Sequence, residues 1–179
     1  MKVLDLFSGL GGFSKAFKDR GHEVIQLDCD PQFSPDICMD VMEFEPEGYY
    51  DIILASPPCN EFSRESMPWI KTGVKPGRYL VERAKEIIEN AYNEWWVIEN
   101  VRGAVKWAKP ILGDPVKRVG SRYLWGEFPI FDAEHVYGKE KLFPSPNRAA
   151  VRSLIPYPLS LNLCIACERE LRKGAFFEI

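Results

Sequence analysis

KVLDLFSGLGGFSKAF, residues 2–17, changes its hydrophobic period midway, and that change decides the fold. Lys2–Phe7 is apolar and alternating, as a buried strand requires. Ser8-Gly9-Leu10-Gly11-Gly12 then breaks the strand. Phe13, Ala16 and Phe17 follow at i, i+3 and i+4, the spacing of one helical face. Gly21 stands where this helix should end, because glycine adopts the left-handed cap conformation without steric cost. Glu23–Asp28 (EVIQLD) reads as a second strand, closing a strand–helix–strand unit within about 30 residues.

Outward from this unit the alternation continues. Tyr50–Ala55 (YDIILA) is a third strand and runs into Ser56-Pro57-Pro58-Cys59. Leu80–Ala91 is predicted helical, with Ala84, Ile87, Ile88 and Ala91 on one stripe. Trp95–Glu99 (WWVIE) is almost wholly apolar, as expected of a strand covered on both faces. Tyr123–Trp125 reads as a short strand and Leu159–Leu171 as the last helix. Apolar strands alternating with helices predict an α/β fold, a doubly wound, mostly parallel sheet of Rossmann-like type. Asn60–Arg78 and Pro129–Leu154 read as long loops. Internal repeats and low-complexity tracts are absent from the sequence.

Composition narrows the class. The 179 residues suffice for one domain with a real core, and 46% hydrophobic with 27% charged residues is ordinary for a soluble protein. No apolar run approaches the ~20 residues that cross a bilayer, and no secretory signal is visible, so a cytoplasmic protein without membrane attachment is expected. Five cysteines, an odd number, argue against a disulfide framework. Cys164 and Cys167 form a lone C-x-x-C within the last helix. Neither a second pair nor a neighbouring histidine in sequence completes a zinc site, so both read as ordinary helix residues and no metal is expected. The net charge is −3, but it is unevenly spread: residues 1–63 hold 4 basic and 12 acidic residues, residues 101–152 hold 10 basic and 5 acidic. A small cationic ligand suits the first region and phosphates the second; solvated faces would give the same counts.

Three stretches carry chemistry. Glycines between a strand and a helix let a ligand approach the backbone, and Asp28 ends the next strand, about 20 residues on, where such folds bind a ribose diol. A glycine-rich turn also serves tight turns with no ligand at all. Cys59 follows two prolines at the carboxyl end of a strand, the edge where open α/β sheets bind ligands. Cysteine is more often a buried apolar residue, but Asn60, Glu61 and Ser63 make its neighbourhood polar. Glu99-Asn100 ends the Trp95–Glu99 strand at the same edge. A carboxyl there either caps a helix or faces the site; in a desolvated pocket its pKa would rise and it could donate a proton.

Together these stretches resemble the C5 cytosine-specific DNA methyltransferases. DLFSGLGGFS is similar to the family's cofactor loop, Ser56-Pro57-Pro58-Cys59 with Phe62-Ser63 to its Pro-Cys motif, and Glu99-Asn100-Val101 to its Glu-Asn-Val motif, in the family's order. The resemblance covers most of residues 1–126 and, more loosely, 152–168. It implies S-adenosylmethionine as cofactor, lined by Phe7, Gly9, Leu10, Gly11, Pro57 and Leu80, with Asp28 on the ribose. Asp40 stands where the family contacts the adenine amino group, and Cys29 where it often has a larger residue stacked on adenine. Cys59 would be the nucleophile adding to cytosine C6, Glu99 would hydrogen-bond N3 and the amino group, and Arg122 would stand for an active-site arginine that favours the Cys59 thiolate. The base would be flipped out of the DNA.

The chain also departs from the family. Full members are longer and carry a separate target-recognition domain. Here residues 1–128 and 152–179 are expected to form the catalytic domain, with 129–151 a short insertion in its place. Lys139, Lys141, Arg148 and Arg152 could grip phosphates, which gives affinity without sequence information. Ser153-Leu154-Ile155-Pro156-Tyr157-Pro158 stands where the family usually has Gly-Asn-Ser-Val-Pro. The reduced plan is similar to methylases of phages and mobile elements in bacteria or archaea. DNA, as a short-site duplex or a single strand, is the expected substrate. The alternatives are a tRNA-type cytosine methyltransferase, and an inactive or partner-dependent cofactor-binding module to which a second protein supplies target recognition.

Overall fold

In a computed structural model, which describes residues 1–60, 62, 77–132, 151 and 153–175, seven strands form one sheet. They are β1 (Lys2–Leu6), β2 (Glu23–Asp28), β3 (Ile37–Cys38), β4 (Tyr49–Ala55), β5 (Tyr92–Val101), β6 (Lys117–Val119) and β7 (Arg122–Glu127). Their order across the sheet is β3-β2-β1-β4-β5-β7-β6. β1 to β5 pair in parallel, while β7 runs antiparallel to β5 and to β6. The helices are α1 (Lys15–Asp19), α2 (Tyr79–Asn90), α3 (Val105–Leu112) and α4 (Tyr157–Ala175).

Strand alternation sorts the core into two layers. Val3, Ile52, Leu54, Val97 and Leu124 face α1 and α4, where they meet Phe13, Phe17, Leu159 and Leu163. Leu4, Leu6, Ile53, Ile98 and Trp125 face the other way, onto Val81, Ala84, Ile87 and Ile88 of α2 and Ala108 of α3. Both faces of the central strands are therefore buried, which explains their continuous apolar runs. β1 lies between β2 and β4, so the strand order reverses there, and in open α/β sheets the ligand crevice lies outside the carboxyl ends of the strands at such a point.

α1 is shorter than its sequence pattern suggested. Turns occupy the glycine stretch, and the helix starts at Lys15. Its end matches expectation: Gly21 has φ +81°, its N–H donates to the Lys18 carbonyl, and the His22 N–H donates to the Phe17 carbonyl, a Schellman cap. α4 locks onto α1 through Ser160, whose Oγ accepts the Ala16 N–H at 3.1 Å and donates to the Phe13 carbonyl at 2.6 Å.

β5 extends beyond the predicted Trp95–Glu99, because its first residues pair with β4 although Tyr92 and Glu94 are exposed and show no apolar run. α3 has no sequence-level expectation; Pro110 inside it masks its period. Two-residue β3 and three-residue β6 are too short to show a pattern. Among the described residues no helix is long and apolar enough to cross a membrane. Most of the predicted loops Asn60–Arg78 and Pro129–Leu154, with Glu61, Ser63, Lys139, Lys141, Arg148 and Arg152, lies outside the described residues.

Candidate active site

The parallel strands bring the ends of β1, β2, β4 and β5 to one edge. At the end of β1, Phe7 takes φ +59°, a left-handed conformation uncommon for a residue with a side chain, followed by Gly9 at +50° and Gly11 at +74°. The Gly11 N–H closes the turn onto the Ser8 carbonyl at 2.7 Å. A Cβ on Gly11 would lie 2.3 Å from Gln26 Nε2, and one on Gly12 2.6 Å from Leu154 Cδ1 and 2.9 Å from the Ile155 carbonyl oxygen. Gly11 is required by its backbone angle and Gly12 by the close approach of the Ile155 backbone.

Asp28 reaches this turn from the end of β2. Its Oδ2 accepts the Gly9 N–H at 2.8 Å and its Oδ1 the Asp30 N–H at 3.0 Å. Each oxygen retains a lone pair for a hydroxyl. Leu10, Cys29 and Asp40 are exposed and Leu80 is half-buried, so the crevice has open side chains on both flanks. Asp40 Oδ1 accepts the Met42 N–H at 3.0 Å, which fixes the carboxylate at the head of a turn.

Beneath the glycine turn sits a group that sequence reading missed. Asp5 is fully buried, and burial, together with the charge of Asp28, pushes its carboxyl up to about 7 against the lowering effect of Ser14. Ser14 Oγ donates to Asp5 Oδ2 at 2.6 Å, and Gln26 Nε2 lies 3.4 Å from Ser14 Oγ. An acid inside an otherwise apolar strand was the available signal. Asp5 Oδ1, Ser8 Oγ and Ser56 Oγ are buried and without hydrogen-bond partners among the described residues. Orphaned acceptors next to a glycine turn suit a ligand that brings its own donors, and S-adenosylmethionine carries both a ribose diol and an ammonium group. The residues fit that cofactor.

On the other flank, Asn100 Nδ2 donates to the Pro57 carbonyl at 3.0 Å, and Asn100 Oδ1 accepts the Val101 N–H at 2.8 Å. This bond joins the ends of β4 and β5: Cys59, half-buried, lies two residues beyond Pro57, and Glu99 one residue before Asn100. The chain past Cys59 packs on the turn after β5, where a Cβ on Gly103 would lie 2.4 Å from the Phe62 carbonyl oxygen. Asn100, which sequence reading left without a role, is the hinge between the two motifs.

Glu99 is 5% exposed. Burial pushes its carboxyl above the usual range, opposed by Arg122, whose Nη1 donates to Glu99 Oε1 at 2.9 Å. Arg122 Nη2 donates to the carbonyls of Leu154 at 2.6 Å and Ser153 at 3.3 Å. Its guanidinium is thus bonded to Glu99 and to residues 153–154. The register explains this, because Val101 pairs with Arg122 and Glu99 with Leu124 across the antiparallel β5–β7 ladder.

The C-x-x-C cysteines are fully buried on α4 against the sheet. Folding does bring a histidine to them, contrary to the spacing argument: His22, Cys164 and Glu168 group closely enough to share an ion. Arg20 already holds both Glu168 oxygens, Nε at 2.8 Å and Nη2 at 2.6 Å, and His22 Nε2 lies 3.0 Å from Oε1. Hydrogen bonds from Arg20 hold the Glu168 carboxyl down to about 2, and burial pushes the Cys164 thiol up to about 12. Arg20, His22 and Glu168 thus form an ion-pair network that joins the end of α1 to α4, the helix that carries Cys164 and Cys167.

A model of the C-5 cytosine-specific DNA methylases matches residues 1–111. No curated protein matches the chain. Among solved structures, one described as a DNA modification methyltransferase encoded within a prophage (E. coli) is 21% identical with a TM-score of 0.51, over 70% of this chain and 46% of that one. An rRNA methylase from Escherichia coli is 17% identical, TM-score 0.46, over 70% and 55%. The S. pombe Dnmt2 methyltransferase is 21% identical, TM-score 0.41, over 59% and 38%. The chain thus spans about half the length, or less, of these structures. Over the matched part its fold is similar to that of the prophage-encoded methyltransferase.

Proposed function

The chain belongs to the C-5 cytosine-specific DNA methylase family, and from this premise we propose that it transfers a methyl group from S-adenosylmethionine to carbon 5 of cytosine in DNA. The observation that carries the reading is the Asn100–Pro57 hydrogen bond, which ties the strand end bearing Cys59 to the one bearing Glu99, beside the glycine turn. When bound, the cofactor supplies an electrophilic methyl group. Phe7, Gly9, Leu10, Gly11, Cys29, Pro57 and Leu80 line it, Asp28 orients its ribose and Asp40 its adenine.

Cytosine C5 is a weak nucleophile until C6 is saturated. Cys59 Sγ, having lost its proton, bonds to C6, and the electron pair displaced from the C5–C6 double bond makes C5 enamine-like. Glu99 donates a proton to N3 as this bond forms; its buried, upshifted carboxyl favours the protonated form this needs. Arg122 is a positioning residue in this scheme. It holds Glu99 and offsets part of the upshift, keeping the carboxyl able to give up its proton. After methyl transfer, the C5 proton leaves to solvent, and as Cys59 is expelled with its electron pair the C5–C6 double bond reforms and N3 returns its proton to Glu99. The ring edges involved are inaccessible in a stacked duplex, so the base is extruded. Residues 1–128 and 152–179 serve as the catalytic unit and 129–151 as a reduced insertion, with target choice left to short contacts or to a partner protein.

Incubation with tritiated S-adenosylmethionine and duplex DNA, single-stranded DNA or tRNA tests this. Label is expected on C5 of cytosine in DNA. Label confined to tRNA would move the activity to RNA, and label on a base other than cytosine would overturn the reading.

A further inference from the structure

Arg83 is an unexpected residue on the buried face of α2, among Val81, Ala84, Ile87 and Ile88, and is 6% exposed. A buried guanidinium is costly unless its donors are met. All but one of the contacts that meet them come from outside its own helix. Nε donates to the Val41 carbonyl at 3.1 Å, and Nη2 to the Phe44 carbonyl at 2.5 Å and to Glu45 Oε1 at 2.7 Å. Nη1 pairs with Glu86 Oε2 at 2.9 Å, one turn further along α2.

The segment it grips begins with Asp40. The Asp40 carbonyl accepts the Glu43 N–H at 3.0 Å, and its carboxylate accepts the Met42 N–H, so Asp40 through Phe44 is one tight turn. The Val41 carbonyl serves both the Phe44 N–H at 3.3 Å and Arg83. Val41 and Phe44 are buried under the turn, whereas Asp40 stays exposed. On the helix, Leu80 precedes Arg83 by three residues and so shares its side of α2. One side chain therefore spans from the helix that carries Leu80 to the turn that carries Asp40. β3 is only two residues long and has a sheet partner on one side alone, so backbone pairing does little to hold this turn.

We propose that Arg83 is a positioning residue for the cofactor's adenine: by clamping the turn of residues 40–45 to α2 it sets the separation of Asp40 from Leu80. This rests on the cofactor site proposed above. The fork geometry matters, since two carbonyls and a carboxylate in different directions match a planar guanidinium and not a single ammonium point charge. Glu45 and Glu86 are exposed and return to water when the guanidinium is removed, so the stability cost falls on the Val41 and Phe44 carbonyls, and Tm is measured beside affinity to separate the two.

The test uses Arg83→Met and Arg83→Lys in the full chain, each titrated with S-adenosylmethionine and with 5′-methylthioadenosine, which keeps the nucleoside and lacks the amino acid. Both variants are expected to weaken both ligands by the same factor, about tenfold. KM for the cofactor should rise while kcat at saturating cofactor holds. In an Asp40→Ala background, the same Arg83 substitutions should cost less than about twofold, because their effect is transmitted through Asp40. Unchanged affinity in a folded variant, or an undiminished loss in the Asp40→Ala background, would overturn the proposal. Should Arg83→Met not fold, Arg83→Lys alone decides, because it keeps the charge and loses the fork. Wild-type protein that binds neither ligand would sink the cofactor reading itself, whereas wild-type binding with indifferent Arg83 variants sinks only this inference.

Discussion

The two flanks of the crevice are built differently. On the β1–β2 flank, the carboxylates of Asp28 and Asp40 accept backbone N–H groups close by in the chain or in the adjoining turn, and glycines clear the space. On the β4–β5–β7 flank, long side chains reach between strands: Asn100 to Pro57, and Arg122 to Glu99 and residues 153–154. The first arrangement leaves exposed acceptors on a fixed backbone, suited to holding a polar ligand. The second keeps an ionisable group buried against a cation, suited to moving a proton. Affinity should therefore reside on one flank and chemistry on the other.

The sharpest way to break this division is Cys59→Ser. Loss of the nucleophile should lower methyl transfer by at least about 10³-fold, with cofactor affinity unchanged within a few-fold. Wild-type turnover by that variant, followed with tritiated cofactor, would remove the covalent step. Asp28→Ala probes the opposite flank. It should raise the cofactor Kd about tenfold, roughly 1.4 kcal/mol, with kcat at saturation retained and the protein still folded. If calorimetric titration finds the wild-type Kd, Asp28 has no part in the ribose site.

The smallest effect on activity lies beneath the glycine turn, where the readout is stability instead. Asp5 has its carboxyl raised to about 7, so the folded state binds its proton more tightly than the unfolded chain does. Its contribution to stability is complete below the ordinary carboxylate range and is lost as pH rises towards about 7, amounting to a few kcal/mol at most. Asp5→Asn should flatten the dependence of Tm on pH between roughly 4 and 8. Parallel Tm profiles for the two proteins would show that Asp5 does not titrate in this window.

The same contrast explains what sequence reading could and could not see. The strand ends were legible because continuous apolar runs stop abruptly at glycine, proline or acid, and those stops are local. Asp28, Cys59 and Glu99 come to one edge simply because β2, β4 and β5 run parallel. Partners made by folding left no such trace. Arg83 reads as a solvent-facing helix residue until the turn after Asp40 covers it. The bond from Arg122 to Glu99 was equally invisible, because position along the chain says nothing of the β5–β7 register that brings them together. His22 joins Cys164 only through the packing of α1 on α4. The Schellman cap at Gly21, by contrast, was visible because every group in it lies within six residues.

That packing of α4 has a bearing on how the chain matures during translation. Val3, Ile52, Leu54 and Val97 are all made early, yet their cover includes Leu159, Leu163 and Cys167 near the other end of the sequence. Until those residues leave the ribosome, one side of the sheet stands uncovered, its apolar surface open to aggregation or to a chaperone. Among the described residues the opposite side is covered by α2 and α3 with Val41, Phe44 and Phe62, all of which emerge before α4. Nascent chains stalled between the two points should thus be half-finished in a literal sense, sealed on one side and adhesive on the other.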